Sequence, residues 1–269
     1  MRSPVAAASL LLAAATSAAA SSSSPQLVFS NPAGQHPFKI PTRYESTVLA
    51  RRILRLESIG TLSTVFPKSS SSASSDDDLS ALENRPDAVA GSPLGLMEYF
   101  GDCEPASGNP TMLAVTIASS YKNAAAGSNA TLSFRWNPPP AYYRTPPAWT
   151  HNPANLPRVA LTGYLEPISK ADLAAAGVAQ CFTRYHPEAR IWSPGNDIHE
   201  SWWARLVVRE AYWFGGFGDR AWIGWFDMDE WRGVTEEEIA KARLPGEEAD
   251  DAVPTIGKSR SRWWSWLEL

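Results

Sequence analysis

Four histidines and two cysteines bound the metal and nucleophile chemistry open to this chain of 269 residues. His199-Glu200 starts like a zinc-peptidase helix. No second histidine follows at helical spacing, and the segment leads into a strand pattern, so His199 reads as a hydrogen-bonded loop residue. Cys181 and His186 stand five apart on a helical pattern and therefore do not share a face. Asp76-Asp77-Asp78 and Asp227-Met228-Asp229-Glu230 have the charge to hold a cation; their contexts are a polar tract and the end of a strand, and they read as a solvated loop and a charged turn. Gly216-Phe217-Gly218 lacks the strand–helix unit that a dinucleotide fingerprint needs. No Gly-x-Ser-x-Gly elbow, His-Glu-x-x-His pair or phosphate loop occurs anywhere. Among metal sites the expectation is none, and among catalytic residues likewise none.

Cys103 and Cys181 leave two readings open. An oxidising compartment would permit a bridge between them, and the alternative is a pair of buried free thiols. Asn129-Ala130-Thr131 is a glycosylation sequon, with Asn129 as acceptor; Asn109-Pro110-Thr111 is excluded by its proline. Ten of the twelve tryptophans follow Arg190. Trp202, Trp203, Trp213, Trp222 and Trp225 fall on strand patterns, where large aromatics serve a core or an interface. Sugar platforms or a flavin stack are the functional alternatives.

Residues 1–20 have the layout of a secretory signal. Arg2 supplies the positive start, Val5 to Ala15 an apolar run too short to span a bilayer, and Ala18-Ala19-Ala20 the small residues a signal peptidase needs. No later stretch is long and apolar enough to span a membrane, so the expected location is outside the cell or the lumen of the secretory and vacuolar-lysosomal system. A net charge of -4 with a pI near 5.6 gives no basic field for nucleic acid.

After a flexible lead-in at 21–41, Thr42 and Glu45 form a capping box. Val48, Leu49, Ile53, Leu54 and Leu56 then recur at helical spacing, with Arg51, Arg52 and Arg55 among them. Strand patterns cover Ile59–Phe66, Leu94–Phe100, Thr111–Ala118, Ala130–Trp136, Arg158–Ile168, Trp203–Phe214 and Arg220–Phe226. Short helices are expected at Ser119–Gly127, Ala171–Tyr185 and Glu236–Arg243. A Ser/Asp tract at 68–89 and a proline-dense stretch at 137–157 read as insertions outside the core. The domain thus spans 42–235, and 236–269 is an extension, partly disordered, with an aromatic end. Antiparallel strands with few helices predict a mainly β protein with flanking helices, a Greek-key barrel.

Several segments in this order resemble the CREG-like branch of the FMN-binding split-barrel superfamily, which also contains the pyridoxamine 5'-phosphate oxidases. They are Ala50-Arg51-Arg52 running into Gly60-Thr61-Leu62-Ser63-Thr64; Arg158-Val159-Ala160-Leu161-Thr162-Gly163-Tyr164-Leu165 followed by a helix and Tyr185-His186-Pro187-Glu188; and Trp202-Trp203-Ala204-Arg205-Leu206 through Tyr212-Trp213-Phe214-Gly215-Gly216-Phe217. The resemblance implies a split β-barrel and a homodimer with a flavin-sized cleft between subunits. Flavin-binding members hold the phosphate with an arginine on the second strand and a Ser/Thr plus lysine after the third. Ser119-Ser120-Tyr121-Lys122-Asn123 is similar to that second element, which makes Ser119, Ser120 and Lys122 the candidate ligands of an FMN phosphate; a hydroxyl and an ammonium beside a helix start suit a phosphate on physical grounds as well. Where the arginine belongs stands Ser92-Pro93-Leu94-Gly95, and loss of one cation weakens a dianion site by about 1.5–3 kcal/mol.

The expected function is therefore a secreted, non-catalytic glycoprotein of the CREG type, without cofactor, acting as a homodimeric binding or interaction module for a protein or glycan partner. An FMN-dependent oxidoreductase is the first alternative and a carbohydrate-binding module the second. Trp213 and Trp222 are the residues expected near the dimer interface.

Overall fold

The computed structural model describes residues 39–68, 85–144, 152–217 and 221–247. The signal layout at 1–20, nearly all of the lead-in, Asp76–Asp78, most of the first insertion and the tryptophans at 263, 264 and 266 lie outside the described residues.

Helix α1 (Arg43–Leu56) starts at Thr42, whose side chain accepts from the Glu45 amide while Glu45 reaches back, so the capping box forms. Seven strands follow among the described residues: β1 (Ile59–Val65), β2 (Pro93–Gly101), β3 (Thr111–Val115), β4 (Ala130–Arg135), β5 (Arg158–Pro167), β6 (Ser201–Phe214) and β7 (Ile223–Trp225). Their order is β3-β2-β1-β4-β5-β6-β7, every pairing is antiparallel, and β3 also pairs with β6. That last pairing closes β1 to β6 into a six-stranded barrel, with β7 added outside β6. The fold is a barrel, as the strand pattern predicts, and of the split kind that the resemblance implies.

Period-two alternation fills the interior. Leu62, Phe100, Met112, Leu132, Leu161 and Leu206 are fully buried there, each worth roughly 1.5–3 kcal/mol of burial. Gly163 lies at a register shift between β5 and β6 where a Cβ would overlap the Val207 carbonyl. The strands come that close only because this residue has no side chain.

Ser119–Ala125 forms helix α2. The helix expected over Ala171–Tyr185 is two: α3 (Lys170–Ala176), capped by Ser169, and α4 (Val178–Tyr185). Gly177 between them has φ +56°, a left-handed conformation that ends the first helix and turns the chain into the second. Asp227, read as part of a charged turn, caps a further helix, α5 (Met228–Gly233), by accepting from the Asp229 and Glu230 amides. Helix α6 (Glu236–Lys241) has its own capping box at Thr235 and Glu238.

Three sequence expectations are corrected. First, the domain does not stop at residue 235. Ile239 and Leu244 are buried, and Glu247 forms a buried ion pair with Arg52. Second, the insertion at 137–157 is not wholly outside the core, because Leu156 is fully buried within it. Third, Trp213 is only 2% exposed and packs on Phe226, so it has no surface to offer a second subunit. Trp222 stacks on the same Phe226 at 5.4 Å.

Arg51 and Arg52 are also fully buried, although they sit in a helix whose charges suggest a solvated face. Each is compensated. Arg51 donates to the carbonyls of Trp231 and Pro105, and Arg52 to Glu247 and the Ile239 carbonyl. Arg55 reaches Asp102 and Glu236. The three guanidiniums fasten α1 to the C-terminal helices and to the loop after β2.

Candidate functional site

Strand β2 pairs with β1 along seven consecutive residues, Pro93 to Tyr99. On its other edge β3 pairs only with Phe100 and Gly101 before turning away to β6. The divergence opens the barrel wall, and α2 packs on the inward face of β1 and β2 beside the opening. Two side chains of α2 tie it to the neighbouring strands. The Tyr121 hydroxyl donates to Glu98 at 3.2 Å and the Asn123 amide donates to the Thr64 hydroxyl at 3.1 Å.

This is where the sequence placed a phosphate cradle. Ser119 is half-buried, as is Lys122. Ser120 is fully buried, and its hydroxyl has no partner among the described residues. A phosphate at the surface could not meet that hydroxyl without the helix moving. At seven residues, α2 is also short for a helix that must present its N-terminus to an anion. Across the opening β2 offers no cation. It carries one ionisable group near the opening, Glu98, whose carboxyl is pushed up to about 7 by burial, opposed by the hydrogen bond from Tyr121. When ionised, that carboxylate repels a phosphate. The residues therefore do not fit an FMN phosphate as arranged: one ligand is buried, one is missing and an acid takes its side. Sequence reading missed Glu98, though a lone carboxyl in the otherwise uncharged strand Pro93–Gly101 is the signal that marks it.

Both faces of the sheet beside the opening expose apolar side chains, Leu96 on the inward side and Met97, Ile59 and Val65 on the outward side. Leu96 is 46% exposed and Met97 60%, while Ile59 and Val65 at the two ends of β1 are exposed as well. Ile117, on the connection from β3 to α2, is exposed across the gap.

Elsewhere, Cys103 and Cys181 are joined as a disulfide with 5.7 Å between α-carbons, which selects the bridge over the free thiols. It fixes α4 to the end of β2 above a second cluster of Leu113, Val178, Phe182 and Trp203. His186 is buried beside it. Its ring stacks on Tyr99 at 4.2 Å and its Nε2 is bonded to the Phe100 carbonyl, while desolvation lowers its pKa. It is a packed core histidine. His199 is exposed on a loop, and among the described residues no group of three metal-ligating side chains converges. No helix among them is long and apolar enough to cross a membrane. Asn129 is exposed immediately before β4, while Thr131 of its sequon is hydrogen-bonded to Thr162 inside the sheet.

A cavity of about 410 Å³ lies at the opposite end of the barrel, lined by Leu49, Pro157, Trp222 and Leu244 among others. Of the described tryptophans only Trp225 is strongly exposed, beside Tyr212, so the several-indole platform that sugar binding requires is not assembled among them.

Comparison with known proteins agrees with the topology. The family described as "CREG, beta-barrel" matches residues 41–232, and the chain belongs to that family. No curated protein matches by sequence. Among solved structures, the heme binding protein from Mycobacterium smegmatis aligns at 18% identity and TM-score 0.49 over 72% of this chain; the chain spans 62% of that protein's length. The heme storage protein HutZ from Vibrio cholerae aligns at 13% identity and TM-score 0.40, covering 65% of this chain and 95% of that one. The FAD binding protein from Mycobacterium smegmatis aligns at 12% and 0.36, covering 65% and 97%.

Proposed function

We propose that this member of the CREG β-barrel family is a secreted or luminal, non-catalytic interaction module that works as a homodimer. The observation that carries the reading is the condition of the phosphate cradle. Ser120 is sealed in the interior, the second strand lacks its cation, and Glu98 occupies the adjoining position. A site so arranged does not favour a dianion. The apolar surface left around it supports association instead, since exposed patches of this kind mark interaction sites. The signal layout at 1–20 and the exposed Asn129 support passage through the secretory pathway.

The reading is tested by the absorption spectrum of the purified secreted protein, before and after incubation with FMN and with heme. We expect no bound chromophore and no saturable uptake of either. The heme arm is included because two of the structural neighbours are named for heme. Flavin bound near one per subunit would establish the oxidoreductase alternative. Ser119 and Lys122, which stay partly accessible on the first turn of α2, are the feature that keeps that alternative standing.

A further inference from the structure

The free edge of β2 points to the partner. Over residues 93–99 its backbone groups on the side away from β1 meet no strand among the described residues. Soluble proteins blunt such edges with lysines, bulges, prolines or inward-pointing charges, because an open edge templates pairing with another chain. Strand β2 has no lysine and no bulge, and its proline is its first residue. What it has is one inward-pointing charge, Glu98. Leu94, Leu96 and Glu98 share the interior-facing side, opposite Thr64, Leu62 and Gly60 of β1. The carboxyl thus lies in line with two leucines, one of them nearly half exposed.

We propose that β2 is the seam of an acid-promoted homodimer, in which two copies join their free β2 edges antiparallel about Leu96 and ionised Glu98 opposes the joint. The inference rests on the homodimer reading above and names its contact and its regulation. A strand edge laid antiparallel on its own copy is complementary by construction, because each donor meets an acceptor, and the contact is isologous. With the two-fold axis at Leu96, Gly95 faces Met97 of the second copy, small against large. Leu94 faces the second copy's Glu98, which shuts that carboxyl between apolar groups. Such a contact accepts the protonated acid and rejects the carboxylate.

A stable dimer needs about 800 Å² from each partner, more than seven strand residues alone present. The exposed Ile59 and Val65, paired to the two ends of the seam strand at Tyr99 and Pro93, and Ile117 across the opening extend the apolar surface around it.

The surroundings of Glu98 leave protonation to the carboxyl itself. From β1 it faces Gly60, which carries no charge. From α2 come the Tyr121 hydroxyl, which donates to it, and Lys122, which makes no ion pair with it among the described residues. β3 has no ionisable side chain over Thr111–Val115. From α4, Tyr185 donates to the Arg55 carbonyl and His186 stacks on Tyr99, whose side chain is on the opposite face of β2.

The test is sedimentation of the full, disulfide-intact secreted protein over a concentration series near pH 5 and near pH 8. We expect association to tighten by at least about tenfold in acid, the effect of one further unit of carboxyl shift at the seam. Glu98→Gln should dimerise at both pH values with the acid affinity. Leu96→Lys, which sets two like charges on the axis, should stay monomeric at both; Met97→Lys, at an exposed position, serves the same purpose should the first variant melt early. A wild-type dimer equally tight at both pH values and indifferent to the lysine variants would overturn the seam while leaving the homodimer intact. A monomer at both would overturn both.

Discussion

On one side of the barrel, β3 and the start of β6 lie under α3 and α4, bound to the end of β2 by Cys103–Cys181 and backed by the buried arginines of α1. On the other side, β2 runs from Pro93 to Tyr99 with one edge open, a half-exposed leucine and a carboxyl that resists ionising. The closed side spends covalent and ionic restraint on a single arrangement. The open side leaves hydrogen-bonding capacity and apolar area unused among the described residues. Rigidity and recognition are thereby separated in space, and changes on the two sides should differ in both size and sign.

The closed side has most to lose at the disulfide. Replacing Cys103 and Cys181 together by alanine frees a separation of 78 residues, which on loop entropy costs about 4 kcal/mol. Thermal melting with and without reductant measures it, and a loss confined to a few tenths would show that the closed side does not depend on its clasp. Arg52→Met comes next. It leaves Glu247, whose side chain is 5% exposed, without its guanidinium, and we expect about 3 kcal/mol of destabilisation by urea unfolding. Adding Glu247→Leu should return much of it, since two apolar groups can replace a buried pair.

On the open side the sign reverses. Glu98 holds its proton more tightly folded than unfolded, because burial lifts its pKa from 4.5 to about 7. Stability from this group is intact below about pH 4.5 and falls as pH rises to about 7. Glu98→Gln should remove that fall and raise stability by about 1–2 kcal/mol near pH 8, less than the bare shift implies because the carboxyl is partly solvated. Near pH 4 the variant and the parent should melt alike. Smallest of all, Ser120→Ala deletes a buried hydroxyl with no partner among the described residues, so its effect should lie within about 1 kcal/mol and favour the variant. A marked loss would mean that the hydroxyl is engaged by something, and would revive the phosphate reading.

The barrel is legible because alternation survives in β1, β4 and β5: Leu132 and Phe134 inward against Thr131 and Ser133 outward is the pattern at its plainest. The cap at Thr42 reads correctly for the same local reason. Errors arose where the deciding partner is remote in sequence. The burial of Arg51 has no local signal, because the carbonyls of Pro105 and Trp231 that receive it are 54 and 180 residues away. Asp227 looked like turn chemistry because the apolar anchor of its helix, Trp231, is a single residue with no period to detect. Trp213 goes to an interface on its type alone, and the last helix, Glu236–Lys241, falls outside the sequence-expected domain. At the site, Ser119 and Lys122 came from resemblance, whereas Glu98 needed the observation that one strand edge lacks a neighbour.

The bridge between Cys103 and Cys181 also sorts the chain into two classes of peptide bond. Any bond hydrolysed between those residues, including one in the proline-dense stretch, leaves both pieces on one covalent molecule, to be parted only by reduction. A bond hydrolysed between Lys68 and Arg85 falls outside the loop. It would leave α1 and β1, a helix and a central strand of the barrel, held by hydrogen bonds, buried guanidiniums and the core packing of Ile53, Leu54 and Leu62, with no covalent link. The same nick keeps the pieces joined on one side of Cys103 and frees one of them on the other, so under proteolysis the lifetime of the molecule depends on which of its two long connections is cut first.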